Sequence, residues 1–352
     1  MLSTLPVGGG SGAAPARGRD VSETCETCVP EPAVLLRMFE IVTAISRTDA
    51  EFRKLLLAGR ARSTYYSPKG QECISAGIGA LLRRDDYVVT TYRGLHDHLG
   101  KGVPMQELFA EFLGRATGTC KGKGGPMHVT HPPTGLMVTT GIVGSGLPIA
   151  NGLAWASLLH GTDQVTVVNF GDGASNIGAF HEALNMAAVW NLPVIFVCQN
   201  NRYGEHTRYE AATSVPQVAF RAAAYGIPGC TIDGNDPVAV YGAAQVAVAR
   251  ARAGAGPSLI EAMTYRFWGH IFGDDMRYMP AGERQAAMDA DPAVRYRNWL
   301  VNHGHFAEAD LAVIEAKVDA AIEDAMRFAL GSPPPGPAEL FTDVYAGDVR
   351  PA

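Results

Sequence analysis

Several things this chain lacks narrow what it can be. No stretch reaches 18 uninterrupted apolar residues, so no membrane span is expected. No basic run exists. With a net charge of −6 and a pI near 5.9, the chain has no electrostatic footprint for nucleic acid. No secretory hydrophobic core is visible near the start. No GxGxxG follows a first strand with an acidic residue about 20 positions on, which argues against a dinucleotide-binding domain. Cysteine is sparse: six residues, scattered except for Cys25 and Cys28. That lone CxxC has no second ligand pair nearby, so no zinc site is expected. Cys73, Cys120, Cys198 and Cys230 read as reduced thiols.

What is present is ordinary globular material. Apolar residues make up 47% and charged residues 18% of 352 positions, enough for a large core. Residues 1–31 are rich in Gly, Ala, Pro and Ser and lack periodicity, so a disordered or loosely packed arm is expected. Its glycines and prolines disfavour a transit peptide, and a cytoplasmic location is the expectation. From residue 32 helical and strand patterns alternate. Helices are expected over 32–57, 73–82, 104–113, 147–159, 174–190, 219–225, 237–253 and 311–330, with another starting at Asp291-Pro292. Strands are expected over 87–90, 165–170, 194–198, 230–233 and 258–263. Gly118–Gly125 (GTCKGKGG) resembles a phosphate cradle superficially, but no GK[ST] follows at P-loop spacing. The pattern implies one doubly wound α/β domain over 32–330, with a mostly parallel sheet, and an extension over 331–352.

The stretch 165–203 concentrates the chemistry. An apolar run ends in the acidic turn Gly171-Asp172-Gly173, and a second run ends in Asn200-Asn201. Twenty-six residues, Ala174 to Gln199, separate the two turns. A parallel βαβ unit brings both strand ends to one sheet edge, where open α/β sheets bind ligands. One carboxylate, one amide oxygen and glycines suit a small hard cation such as Mg2+, which keeps phosphate oxygens in its shell. A helix starting at Ala174 would aim its N-terminus at the same phosphate. Two further polar segments follow strands: Tyr92-Arg93-Gly94-Leu95-His96 and Tyr265-Arg266-Phe267-Trp268-Gly269-His270.

GDG, 26 residues and NN together resemble the thiamine diphosphate motif. Six blocks in order resemble the alpha subunit of the E1 component of 2-oxo acid dehydrogenases, the group of pyruvate, branched-chain and acetoin types. They are Gly70-Gln71-Glu72, YRGLH at 92–96, GKGGPMH at 122–128, TGIVGSG at 140–146, GDG to NNRYG, and YRFWGH at 265–270. DVYA at 343–346 also agrees. The resemblance implies Asp172, the Asn201 side chain and the Tyr203 carbonyl as Mg2+ ligands. It implies Gly173 and Ala174 as backbone contacts of the diphosphate, with Tyr92, Arg93, Arg266 and His270 on its oxygens. Gly141 and Val143 would touch the aminopyrimidine. His270, and Tyr66 in the substrate pocket, would stand near the reacting carbon.

Only the diphosphate-binding half of such a site matches. The resemblance therefore implies an E1 beta subunit in an alpha2-beta2 heterotetramer, and a lipoyl-bearing E2 acyltransferase as acceptor of the acyl group. A 2-oxo acid or acyloin would be the substrate. The sequence departs from the family at four places: Ile271 replaces the phosphorylatable Ser of regulated members, Tyr66 and Trp268 replace pyruvate-type histidines, and Glu205-His206 follows NNRYG. These imply a bulkier, more aromatic pocket than a pyruvate site. Two other readings stay open on sequence alone. One is a non-oxidative thiamine diphosphate enzyme subunit, of acyloin synthase or split transketolase type; the other is a non-catalytic scaffold.

Overall fold

The computed structural model describes residues 29–61 and 63–344. The expected N-terminal arm up to residue 28, the Cys25/Cys28 pair and the last two residues of the DVYA block lie outside the described residues. Six strands form one sheet: β1 (Tyr87–Thr91), β2 (Leu136–Thr140), β3 (Thr166–Gly171), β4 (Val194–Asn200), β7 (Gly229–Asp233) and β8 (Ser258–Met263). Their order is β2-β1-β3-β4-β8-β7, and every neighbouring pair is parallel. Two short strands, β5 (Tyr203–Gly204) and β6 (Thr207–Arg208), make a separate antiparallel hairpin with Glu205-His206 at its tip.

The strands are parallel because helices cross between them and bury both faces, so their sequences read as continuous apolar runs. Alternate residues feed opposite cores. Val167, Ile195, Val197 and Ile260 pack with helices Pro32–Leu57, Glu72–Leu81, Pro237–Arg252 and Glu308–Gly331. Val168, Phe170, Phe196 and Leu259 pack with helices Gly146–Leu159 and Gly178–Val189 on the other face. This is the doubly wound α/β arrangement expected from the sequence. Asp236 and Asp291 cap their helices as their Asp-Pro pairs predict: their side chains accept from the Val238 and Ala293 N–H groups, both at 2.9 Å.

One expectation needs correction. The segment after β3 does not begin a helix at Ala174. Asp172–Asn176 forms a 3-10 turn, closed by Ser175 Oγ donating to the Asp172 carbonyl at 2.8 Å, and the α-helix starts at Gly178. The helix N-terminus therefore stands off the acidic turn by more than a turn. Strand β2 was not foreseen, nor was the helix Ala281–Asp289. The glycine-lysine loop, which resembles a phosphate cradle only superficially, has an internal occupant. Its N–H groups wrap an internal carboxylate: Glu111, fully buried, accepts from Cys120 (2.7 Å), Gly122 (2.9 Å), Gly124 (2.7 Å) and Gly125 (3.0 Å). Lys121 and Lys123 reach Asp343 at 2.9 and 2.6 Å and so fasten the C-terminal segment to this loop.

Candidate active site

Parallel strands end on the same edge, and here five of them deliver the chemistry. Strand β1 is followed by Tyr92 and Arg93, β2 by Gly141 and Val143, and β3 by Asp172, Gly173 and Ala174. Strand β4 is followed by Asn201 and Tyr203, and β8 by Arg266 and His270. All of these, with Tyr66 from the loop ahead of helix Glu72–Leu81, line one cleft of about 500 Å3. The chain changes direction in the sheet at β1, which has β2 on one side and β3 on the other. That is where the general rule for open α/β sheets puts a ligand.

The cleft is electrically divided. On one side lies Asp172, 2% exposed. Among the described residues no cationic side chain comes within ion-pair distance of it. Burial pushes its carboxyl up to about 7, against the pull of the Asp172 and Asn201 backbone N–H groups and of Arg266. On the other side stand two buried guanidiniums, Arg93 and Arg266, at 7% and 1% exposure. Neither has a carboxylate within ion-pair distance among the described residues. Arg93 donates to the Ser67 carbonyl (2.8 Å) and the His270 carbonyl (2.9 Å). Arg266 donates to the Tyr203 carbonyl (3.2 Å), the Glu205 carbonyl and the Tyr278 hydroxyl (2.7 Å), and its Nε has no partner. Burial, and then the Arg266 charge, hold Arg93 down at about 10. A buried guanidinium held down by a second cation is an arrangement that a polyanion would relieve.

His270 sits between these groups. Burial, then Arg93, Arg266 and His206, lower its imidazole to about 4, while Asp274 pulls the other way. The ring is therefore neutral at physiological pH. Its Nδ1 is buried without a partner, and its main-chain N–H donates to Asp274 Oδ2 at 2.7 Å. Tyr66 and Tyr92 stand beside it, with ring centroids 5.3 and 5.8 Å away and 4.5 Å apart from each other. Burial raises the Tyr92 phenol, so it stays a neutral donor.

The YRGLH segment divides between site and core. Tyr92 and Arg93 face the cleft, but His96 and His98 are fully buried beneath it. His96 Nε2 meets Gln199 Oε1 at 2.9 Å, and Gln199 Nε2 donates to Asp97 at 3.1 Å. Asn200 and Asn201 divide in the same way. Asn200 donates to the buried Glu261 at 2.7 Å, and Asn201 turns to the cleft. Trp268 corrects the expectation of a more aromatic pocket. Its ring lines a neighbouring cavity of about 250 Å3 with Arg53, Ile271 and Phe272, and the Arg53 guanidinium stacks on it at 3.8 Å. Of the four departures, Tyr66 and Glu205 border the cleft itself. Gln71, Gln199 and Met127 also border it, and no role was read for them from sequence.

The donor set has a shape that suits a hydrated cation and a diphosphate. Among the described residues no three His, Cys, Asp or Glu side chains converge as metal ligands. A cation here would rest on one carboxylate, one amide oxygen and a main-chain carbonyl, with ligand oxygens completing the shell. Gly173 lies against Gly204, where an added Cβ would stand 3.1 Å from the Gly204 Cα, so backbone replaces side chain at this wall.

Comparison with known proteins identifies the family. Residues 41–338 match the family described as "Dehydrogenase E1 component". The chain belongs to that family. It is 43% identical to the alpha subunit of acetoin:2,6-dichlorophenolindophenol oxidoreductase of Bacillus subtilis over 312 residues, 88% of this chain and 93% of the relative. It is also 43% identical to the subunit of the same name from Cupriavidus necator, over 78% of this chain and 83% of the relative. A chloroplastic pyruvate dehydrogenase E1 component subunit alpha-3 from Arabidopsis thaliana is 40% identical over 79% of this chain and 66% of the relative. The resemblance read from the six sequence blocks is borne out. The chain is an E1 alpha-type oxidoreductase component of a thiamine diphosphate-dependent family.

Proposed function

We propose that this chain is the diphosphate-binding subunit of a thiamine diphosphate- and Mg2+-dependent enzyme that cleaves an acyloin of the acetoin type. The observation that carries the reading is the divided cleft: one buried carboxylate without a cation faces two buried guanidiniums without an anion. A metal–diphosphate pair neutralises both sides at once. Asp172, Asn201 Oδ1 and the Tyr203 carbonyl hold Mg2+. Arg93, Arg266 and Tyr92 bind the diphosphate oxygens, with the backbone of Gly173 and Ala174. When bound, thiamine diphosphate supplies the electron sink for the carbon–carbon bond that breaks. Neutral His270 would stand beside the reacting carbon, able to donate a hydrogen bond to an anionic oxygen or to take a proton from a hydroxyl. Tyr66 narrows the wall opposite.

Gly141 and Val143 form the aminopyrimidine side of the cleft. There Ile142 and Val143 are 72% and 48% exposed. A partner covers such apolar residues at the rim of a polar site more economically than water does. That partner is the beta subunit, in an alpha2-beta2 assembly; cleavage releases one half as an aldehyde, and the other passes as an acyl group to a lipoyl-bearing E2, whose disulfide takes up the two electrons. Cys73, Cys120 and Cys198 form no disulfide, in keeping with a reducing cytoplasm. The test is turnover with thiamine diphosphate, Mg2+ and an artificial electron acceptor. The chain with its beta subunit oxidises acetoin and the chain alone does nothing. Turnover without the partner, or pyruvate as the best substrate by about tenfold in kcat/KM, overturns the proposal.

A further inference from the structure

The block Gly70-Gln71-Glu72 has no part in the roles above, yet the fold fixes it tightly. Gly70 has φ of +100°, and a Cβ there would stand 2.2 Å from the Tyr265 carbonyl oxygen. Its N–H donates to Glu72 Oε2 at 2.9 Å and its carbonyl accepts from Thr264 Oγ1 at 2.7 Å. The Gln71 N–H donates to the Pro68 carbonyl at 2.9 Å. Lys69 pairs with Glu72 at 2.9 Å. These contacts clamp the turn onto the end of β8 and deliver the Gln71 side chain to the floor of the cleft.

Gln71 is fully buried and borders the cleft. Its Oε1 accepts from Asn201 Nδ2 at 2.9 Å, and its Nε2 has no partner. A buried amide half-satisfied in this way is a poor device for stabilising a fold. What it does achieve is to sort the two ends of the Asn201 amide. Asn201 Oδ1 accepts from the Tyr203 N–H at 3.3 Å. With nitrogen held by Gln71 and oxygen held toward Tyr203, the amide cannot flip. Reversed, its NH2 would face the Tyr203 N–H, a donor against a donor that no matching turn of the Gln71 amide could relieve. We propose that Gln71 is a positioning residue for the cation: it locks the Asn201 amide with Oδ1, the ligand atom, toward the metal. This rests on the reading of the cleft as a Mg2+ and diphosphate site.

The test uses the chain assembled with its beta subunit, saturating thiamine diphosphate and Mn2+ as the probe, with free Mn2+ read by electron paramagnetic resonance. Gln71→Met keeps the volume and removes the acceptor, and Mn2+ affinity falls by about 10- to 100-fold. Gln71→Asn is too short to reach Asn201, gives the same loss, and replaces the Met variant if that one does not fold. Gln71→Glu keeps an acceptor for Asn201 Nδ2 and holds affinity near the wild-type value. Unchanged Mn2+ affinity in the Met or Asn variant overturns the assignment of Gln71 alone. Equal losses in the Glu and Met variants overturn it too. A wild-type complex that takes up no Mn2+ with thiamine diphosphate overturns the reading of the cleft itself.

Discussion

Replacing Glu111 with Gln tests whether the glycine-lysine loop is held by an internal anion. The carboxylate takes two N–H groups on each oxygen, Cys120 and Gly122 on Oε2 and Gly124 and Gly125 on Oε1. A glutamine keeps one oxygen and turns an NH2 toward the other pair. Two charge-assisted hydrogen bonds are lost, and two buried donors are left facing another donor. At about 1–3 kcal/mol for each stranded group, the cost is about 4 kcal/mol, a large part of the roughly 5–15 kcal/mol that holds a domain together. For a chain of this length that lowers the unfolding midpoint by roughly 5–8 °C. Hydrogen exchange gives the sharper assay, because the amides of Cys120, Gly122, Gly124 and Gly125 should lose protection together. The loop also carries Met127 and His128, which pack beside Gly141 at the cleft wall. Cofactor affinity should therefore weaken as the loop loosens. A midpoint within about 1 °C of wild type, with the four amides still protected, would refute the argument.

Other outcomes follow from the same geometry. Gly70→Ala forces a side chain into a positive-φ position and against the Tyr265 carbonyl, so it should cost about 3 kcal/mol or more, measured by urea unfolding. His98 and His270 titrate near 3 and 4 in the folded protein, below the ordinary value of 6.5. The unfolded chain binds more protons between those values, so this contribution is complete above pH 6.5 and is lost as pH falls toward 3. For fully buried His98 it is on the order of 5 kcal/mol. Urea midpoints from pH 7 to pH 4 should decline less steeply in His98→Gln than in wild type, and equal slopes would contradict the assignment. Tyr66→His shrinks the wall beside His270 and should move the kcat/KM ratio of pyruvate to acetoin by roughly tenfold toward pyruvate. An unchanged ratio means that Tyr66 does not set the pocket.

The sheet was legible because buried parallel strands read as short apolar runs, and β8 carries the expected boundaries, Ser258–Met263. The site was legible for a related reason: polar residues directly after such runs fall on one edge. What escaped detection lacked those signals. Helix Ala281–Asp289 buries none of its residues, so no apolar periodicity marks it. Strand β2 is five residues long, and only Leu136 and Thr139 are buried. The turn after Asp172 is helical in composition, but Ser175 and Asn176 spend their side chains on local and long-range bonds that stop the α-helix from starting. Glu111 lies inside an apolar helix pattern, and its partners are backbone N–H groups that no side-chain motif announces. Trp268 and His270 lie two positions apart in the same loop. They line different cavities, which residue order alone does not reveal.

The central claim is that Asp172, Asn201 and the two arginines form one metal–diphosphate site. Calorimetric titration of thiamine diphosphate into the complex with the beta subunit, with and without Mg2+, tests it most directly. Binding should require Mg2+, should vanish in Asp172→Ala, and should weaken about 100-fold or more in Arg93→Ala, because that variant strips a buried charge from the anion side. Binding of equal strength without Mg2+, or undiminished binding in Asp172→Ala, would contradict the account.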